Sequence, residues 1–412
     1  MKIRVIEKPE LGAWISPGGN KYVPIHNWYA YKHGYSRELA AYLINEFNLS
    51  EGCWVLDPFC GSGTTLLTCK ELGINAQGFD ILPFSVLLTN VKISDYDVGD
   101  LERQLSLFQE IMREGKGLKK VSLPDIPLVK KAFQPDVEQR LLELKSAIDR
   151  IAVPKVRSFF KLGFLNILES VSNTSKAGGF LRLIQRDVNS DAIESMFLNK
   201  VKSMIRDLIE RDNSKKDGNV SIEAEIGDAR RLPTKRKFDA VITSPPYPNR
   251  HDYTRIYSLE MAFDFVSTND ELKKIRYETI RSHVEAKKKY EITGYKKPEI
   301  LDNLIEEVRQ NGTNNPQVTG MIEGYFEDMY LVLSEISRCL KTGCKVGLVV
   351  SNVRFSGVNI PVDELLAEIG VQVGLSPREI LVVRYRGNSS QQMRDYTRKP
   401  SRESIVIWQR DS

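Results

Sequence analysis

Apolar and polar positions divide the chain into short segments of two different periods. Residues 53–57 (CWVLD) form a nearly unbroken apolar run, the pattern of a strand buried on both faces. Gly61 and Gly63 then make a tight loop, and 64–72 (TTLLTCKEL) reads as a helix that stops at Gly73. Residues 75–80 (NAQGFD) read as a second strand and 82–92 (LPFSVLLTNVK) as a second helix. A βαβα run of this kind opens a parallel α/β sheet.

The rhythm breaks over 94–218, which is helical in pattern with polar joints at 113–127 and 172–190. Within it, 155–171 (KVRSFFKLGFLNILESV) is apolar on nearly every face and is therefore expected to be buried. Sheet signals return at 220–226 and 238–243, followed by a helix at 258–266. The polar, Lys-rich stretch 268–318 reads as a mobile excursion. A long amphipathic helix at 320–340, a strand at 345–350 and a helix at 362–369 come next. Strands at 379–385 and 404–409 have no helix between them, which predicts a C-terminal antiparallel hairpin. The expected organisation is one α/β domain in two parts, 1–93 and 219–412, with a helical insertion at 94–218 as one candidate for target recognition.

Composition narrows the class. Apolar residues make up 41% and charged residues 27%, ordinary for a folded globular chain. No apolar run approaches the ~18 residues of a membrane span, and the charged N-terminus lacks a signal-peptide core, so a cytoplasmic location is expected. The five cysteines, Cys53, Cys60, Cys69, Cys339 and Cys344, form no CxxC pair, so neither a metal site nor a disulfide framework is expected. Net charge is +5, which permits a nucleic-acid partner without requiring one. Residues 271–300 and 376–412 each carry a surplus of four positive charges.

Two constellations carry chemistry. The first is Asp57-Pro-Phe-Cys-Gly-Ser-Gly-Thr-Thr65, a glycine-rich loop between a strand and a helix, where a ligand can approach backbone amides. No Lys follows Gly63, which excludes a P-loop, and Leu66 stands where a dinucleotide fingerprint needs its third glycine. Asp80 ends the second strand, the place from which an acid accepts hydrogen bonds from a ribose diol. The second is Ser244-Pro-Pro-Tyr247, after the apolar strand FDAVIT. Two prolines donate no hydrogen bonds, so the site offers acceptors, the Ser244 hydroxyl and the Pro245 carbonyl, beside the flat ring of Tyr247. Two acceptors that grip the N–H bonds of an exocyclic amine can turn its nitrogen toward tetrahedral geometry. A ring stacked on the base holds it there.

Together, DPFCGSGTT and TSPPY resemble the amino-methylating DNA methyltransferases that use S-adenosylmethionine, over roughly 20–93, 220–265 and 320–410. The resemblance implies an α/β fold with a class I methyltransferase-like, doubly wound, mostly parallel sheet. It implies that Asp57, Phe59, Gly61, Gly63 and Thr64 line the cofactor, that Asp80 takes its ribose and that Asp228 lies near its adenine. Residues 26–44 are similar to the family segment that holds the methionine moiety, which brings in Tyr31 and Lys32. Ser244, Pro245, Pro246 and Tyr247 would hold the target base. Ser at the head of the tetrad is typical of the cytosine-N4 branch; Asp is commoner in the adenine-N6 branch. The expected reaction is direct methyl transfer to a base flipped from double-stranded DNA, with cytosine N4 the first choice and adenine N6 the alternative. A restriction endonuclease is a possible companion. Arg250, Arg384, Arg386 and Arg394 are candidate DNA contacts. The cofactor motif precedes the tetrad, the reverse of the commonly permuted branch, so the recognition segment is not given by order alone.

Other enzyme classes fit less well. A cytosine-C5 enzyme needs a Pro-Cys nucleophile, and the sequence has no such dipeptide. An RNA guanine-N2 methyltransferase has a similar loop but usually carries an N-terminal RNA-binding module, for which no room exists before residue 26. An inactive DNA-binding subunit would not need the intact acceptors at 244–247.

Overall fold

The computed structural model describes residues 3–115, 122–212, 220–313, 315–387 and 399–411. The first part of the α/β domain runs β1 (Arg4–Glu7), α1 (Arg37–Glu46), β2 (Trp54–Asp57), α2 (Thr64–Glu71), β3 (Asn75–Asp80) and α3 (Pro83–Ile93). The insertion holds α4 (Val98–Glu114), α5 (Pro135–Asp149), α6 (Pro154–Ile167), a hairpin of β4 (Thr174–Ala177) and β5 (Phe180–Leu183), and α7 (Ala192–Asp212). The second part adds β6 (Ile222–Ile226), β7 (Phe238–Thr243), α8 (Tyr253–Ile256), α9 (Ser258–Asp264), α10 (Asn269–Glu278), α11 (Glu299–Gln310) and α12 (Gln317–Cys339). It ends with β8 (Leu340–Ser351), a small hairpin of β9 (Val353–Phe355) and β10 (Val358–Ile360), α13 (Val362–Val371), β11 (Leu375–Arg386) and β12 (Ser401–Arg410).

The central sheet has eight strands in the order β1-β11-β12-β8-β7-β2-β3-β6. All its pairings are parallel except those of β12, which runs antiparallel to both β11 and β8. This is the doubly wound sheet with its C-terminal hairpin. From β2 the chain winds outward through β3 and β6, then returns to β7 on the other side of β2 and winds the opposite way. The β2–β7 junction is therefore the topological switch point, and in open α/β sheets ligands bind at the carboxyl ends of the strands there.

Alternation within the strands builds two cores. Val55, Ala240, Ile242, Leu381 and Ile405 face one side, with α1 to α9. Leu56, Val241, Ile380, Val406 and Trp408 face the other, with α11, α12 and α13. Period-2 side chains buried on both faces explain why these strands read as continuous apolar runs. Helix α6 is buried along Phe159, Phe160, Leu162, Phe164 and Leu165, as its all-round apolar pattern requires.

Two expectations are corrected. The polar joint 172–190 contains the β4–β5 hairpin, which is too short to show an alternation. The stretch 268–318 is not an excursion. It holds α10 and α11, and between them Thr279–His283 are all buried. Its polar residues are internal because they are paired: the Arg281 guanidinium donates to Asp328 on α12, at 2.6 Å from Nη2. Polarity in the sequence marked solvent where the fold supplies a partner. No helix among the described residues is long and apolar enough to cross a membrane.

Candidate active site

The carboxyl ends of β2, β3, β7 and β11 open onto one cleft, whose empty space is about 1400 Å³ with the solvent at its open mouth included. Its first wall is the glycine-rich loop. Asp57 ends β2 and is buried; its Oδ1 accepts from Thr243 Oγ1 of β7 at 2.6 Å and from Phe59 N at 3.2 Å. The Thr243 bond spans the switch point and ties the two constellations together. The loop then bends over β3. Gly61 takes φ +50° and donates its N–H to Asp80 Oδ2 at 3.0 Å, while Leu82 N donates to Oδ1 at 2.9 Å. Burial nonetheless pushes the Asp57 and Asp80 carboxyls up to about 6, against the pull of these hydrogen bonds.

The second wall is the segment before the loop. The Tyr31 ring stacks on Tyr257 with centroids 4.7 Å apart, and its hydroxyl pairs with Ser85 Oγ at 3.1 Å. Lys32 lines the cleft, and its backbone N–H donates to the Tyr257 hydroxyl at 3.1 Å. Ser62 and Thr64 complete this end. Gly63 does not line the cleft: a Cβ there would lie 2.7 Å from Thr89 Cγ2, so the glycine serves the contact between the loop and α3.

Asp228 lines the far end of the cleft with Gly227 and Ala229. Its two oxygens accept from Arg230 Nε at 3.0 Å and Nη2 at 2.8 Å, and Oδ2 also accepts from the Tyr290 hydroxyl at 2.9 Å. Burial raises this carboxyl, but the Arg230 and Tyr290 bonds outweigh it and hold the group below the usual carboxylate range. Arg230 continues to the buried Asp328, so Asp228 is anchored to α12.

Ser244, Pro245, Pro246 and Tyr247 all line the cleft beyond β7. The Ser244 hydroxyl donates to Tyr247 Oη at 3.3 Å. That bond occupies the serine proton and leaves its lone pairs as acceptors, able to receive an N–H group. Arg384 and Arg386 also line this end, both bonded to Glu403 of β12. Arg250 does not line the cleft; it sits at φ +70° with its N–H on Ser282 O at 3.0 Å. Arg394 lies outside the described residues.

Sequence reasoning missed several cleft residues. His251 and Asn249 follow the tetrad closely and could have been read from that proximity. His33 meets His251 edge-on at 5.3 Å, and both imidazoles are held neutral, at about 3 and about 4, chiefly by burial. Thr279, Ile280, Ser282 and His283 reach the cleft from the stretch between α10 and α11, and no local signal marks them. Among the described residues no group of three or more His, Cys, Asp or Glu could hold a metal ion.

Comparisons with known proteins follow the same lines. The N6/N4 DNA methylase family model matches residues 13–90, which span the segment before the loop, the glycine-rich loop and Asp80. Type II methyltransferase M.BsoBI of Geobacillus stearothermophilus is 33% identical over 99% of this chain and 90% of its own length. Type II methyltransferase M.AvaI of a Nostoc strain is 29% identical over 96% of this chain and 88% of its own. Type II methyltransferase M.MvaI of Kocuria varians is 23% identical over 76% of this chain and 73% of its own.

Proposed function

This chain belongs to the type II DNA methyltransferases of the N4/N6 amino class, which take their methyl group from S-adenosylmethionine, and we propose that its acceptor is the N4 amine of cytosine. The observation that carries the choice of base is Ser244 at the head of the tetrad, a neutral hydroxyl whose proton is turned to Tyr247. The amine of cytosine is a poor nucleophile because its lone pair is delocalised into the ring. Acceptors at Ser244 Oγ and the Pro245 carbonyl draw its two hydrogens out of the ring plane and free that lone pair. Tyr247 offers a face on which the flipped base stacks, at about 1–3 kcal/mol.

The other end of the cleft fits the cofactor. Free space extends from Gly227–Ala229 past Asp80 to Tyr31 and Lys32, enough for a nucleoside joined to an amino acid. Asp80 would accept the ribose hydroxyls, Phe59 and Gly61 would border the nucleoside, and Lys32 would meet the amino-acid carboxylate. The bound sulfonium supplies an electrophilic methyl group. The chain's own residues would hold the amine in line with it, and the surplus proton of the methylated amine leaves to solvent, since His33 and His251, held at about 3 and about 4, are weak bases. Double-stranded DNA is the proposed substrate, and a cognate restriction endonuclease the proposed companion.

Nucleoside analysis of DNA methylated by the purified enzyme should yield N4-methylcytosine; N6-methyladenine alone would overturn the choice of base. Ser244→Ala should bind S-adenosylmethionine as the wild type does but lose about tenfold to a hundredfold in single-turnover rate. A folded Ser244→Ala enzyme with the wild-type rate would remove the tetrad from the chemistry.

A further inference from the structure

The ion pairs at the end of the C-terminal hairpin are built unlike a surface contact. In the β11–β12 register Arg384 stands opposite Glu403 and Arg386 opposite Ser401. Side-chain alternation puts Arg384 and Arg386 on one face of the sheet. Their neighbours Tyr385 and Arg402 turn to the other face, where they bond Glu7 and Asp363. The Glu403 side chain is only 3% exposed, yet it bonds both guanidinia: Oε2 accepts from Arg384 Nε, and Oε1 from Arg386 Nη1 at 3.1 Å. Burying a carboxylate is costly unless it is paired. Pairing with Glu403 holds both guanidinia in one geometry, and a guanidinium fork so held is suited to reading a fixed edge. The Arg386 side chain is 59% exposed and borders the same cleft as Ser244, Tyr247, Asn249 and His251. Its positive charge reaches His251, and with Arg384 and Glu403 it reaches Tyr247, so these groups converge on one end of the cleft.

We propose that Arg386, braced by Glu403 and Arg384, reads the ring edge of the flipped target base and selects cytosine over adenine. The proposal rests on the cytosine-N4 reading above. With the amine gripped by Ser244 and Pro245, the next atoms along the edge of cytosine are N3 and O2, two acceptors in succession. Adenine presents N1 and then a C–H. A guanidinium donates two parallel N–H bonds from a rigid fork, which cytosine satisfies and adenine does not. A lysine cannot supply the same paired geometry.

The test compares the wild type with Arg386→Met and Arg386→Lys in single-turnover methylation. The duplexes carry the enzyme's own site, located beforehand by methylation-sensitive sequencing. The target is either cytosine or 3-deazacytosine, which keeps the amine but lacks the N3 acceptor. Intrinsic differences between the two bases are common to all three enzymes, so the ratio of rates isolates the contact. The wild type should favour cytosine by about tenfold to a hundredfold more than Arg386→Met does. Arg386→Lys should fall near Arg386→Met, and the salt dependence of DNA binding should stay unchanged. Equal cytosine-to-deazacytosine ratios in the wild type and Arg386→Met would overturn the proposal. So would a loss seen only as a shallower salt slope, the mark of a phosphate contact. If the wild type yields N6-methyladenine instead, the cytosine reading itself fails, a result the product analysis registers separately.

Discussion

Asp57 and Asp80 are acids at the ends of adjacent strands, and burial holds both carboxyls near 6. Because the fold favours their protonated forms, their contribution to stability is present at low pH. It is lost as pH rises from the usual carboxylate value of 3.8 to about 6. Cofactor binding has the opposite sign. In the proposed site the ribose hydroxyls would donate to the ionised Asp80, so affinity should rise with pH through about 6. Calorimetry should show S-adenosylmethionine binding about tenfold weaker at pH ~5 than at pH ~7.5. Asp80→Asn should bind weakly at both with a flatter profile; a wild-type profile in that variant would take Asp80 out of the ribose site. The acids and the tetrad were legible in the sequence because each ends an apolar strand. Their partners were less so. The ring of Tyr247 was expected to matter and its hydroxyl was not, yet the hydroxyl holds the Ser244 proton. Arg384 and Arg386 stood out as candidate DNA contacts, but their place in the cleft wall on Glu403 is a pairing that only the β11–β12 register reveals.

Among the elements, α2 shows how a glycine can matter without touching a ligand. Gly63 precedes the helix at φ +76°, and a Cβ there would meet Thr89 of α3 at 2.7 Å. Gly73 just beyond the helix has φ +71° but nothing within 4 Å of such a Cβ. Gly73→Ala should therefore cost only backbone strain, about 1–2 kcal/mol. Gly63→Ala adds overpacking between α2 and α3 and should cost a further ~1–3 kcal/mol. Urea midpoints of the two variants would show this; equal losses would mean that α3 yields freely. Both glycines were visible as loop punctuation, but only the second fits the simple reading of a helix stop. The same limit explains Thr279–His283. Arg281 and His283 looked like solvent residues, and their burial depends on Asp328 and Thr279, one of which lies far along the chain.

At the scale of the molecule, the insertion and the cofactor half share one core. Trp28, in the segment that precedes α1, is fully buried, packs edge-on against Phe159 of α6 at 5.3 Å, and donates Nε1–H to Asp207 of α7 at 3.0 Å. The same carboxylate accepts from Ile25 N at 3.3 Å, where the chain takes φ +65°, an unusual conformation for a β-branched residue. From the β4–β5 hairpin, Lys176 donates to the Tyr29 hydroxyl and to Glu260 of α9, each at 2.6 Å. These bonds fix the stretch that continues into Tyr31 and Lys32. The insertion therefore shapes one wall of the cleft from behind, a role its helical pattern did not disclose. Asp207→Ala would leave the indole N–H buried without its acceptor and release Ile25 from its conformation. Stability should fall by about 1–3 kcal/mol. Affinity for S-adenosylmethionine should fall with it, because part of the binding energy would go into re-ordering the segment. Thermal unfolding with and without saturating cofactor, paired with calorimetry at a temperature where the variant is folded, separates the two effects. Lower stability with unchanged affinity would make the insertion a packed neighbour of the site rather than a support for it.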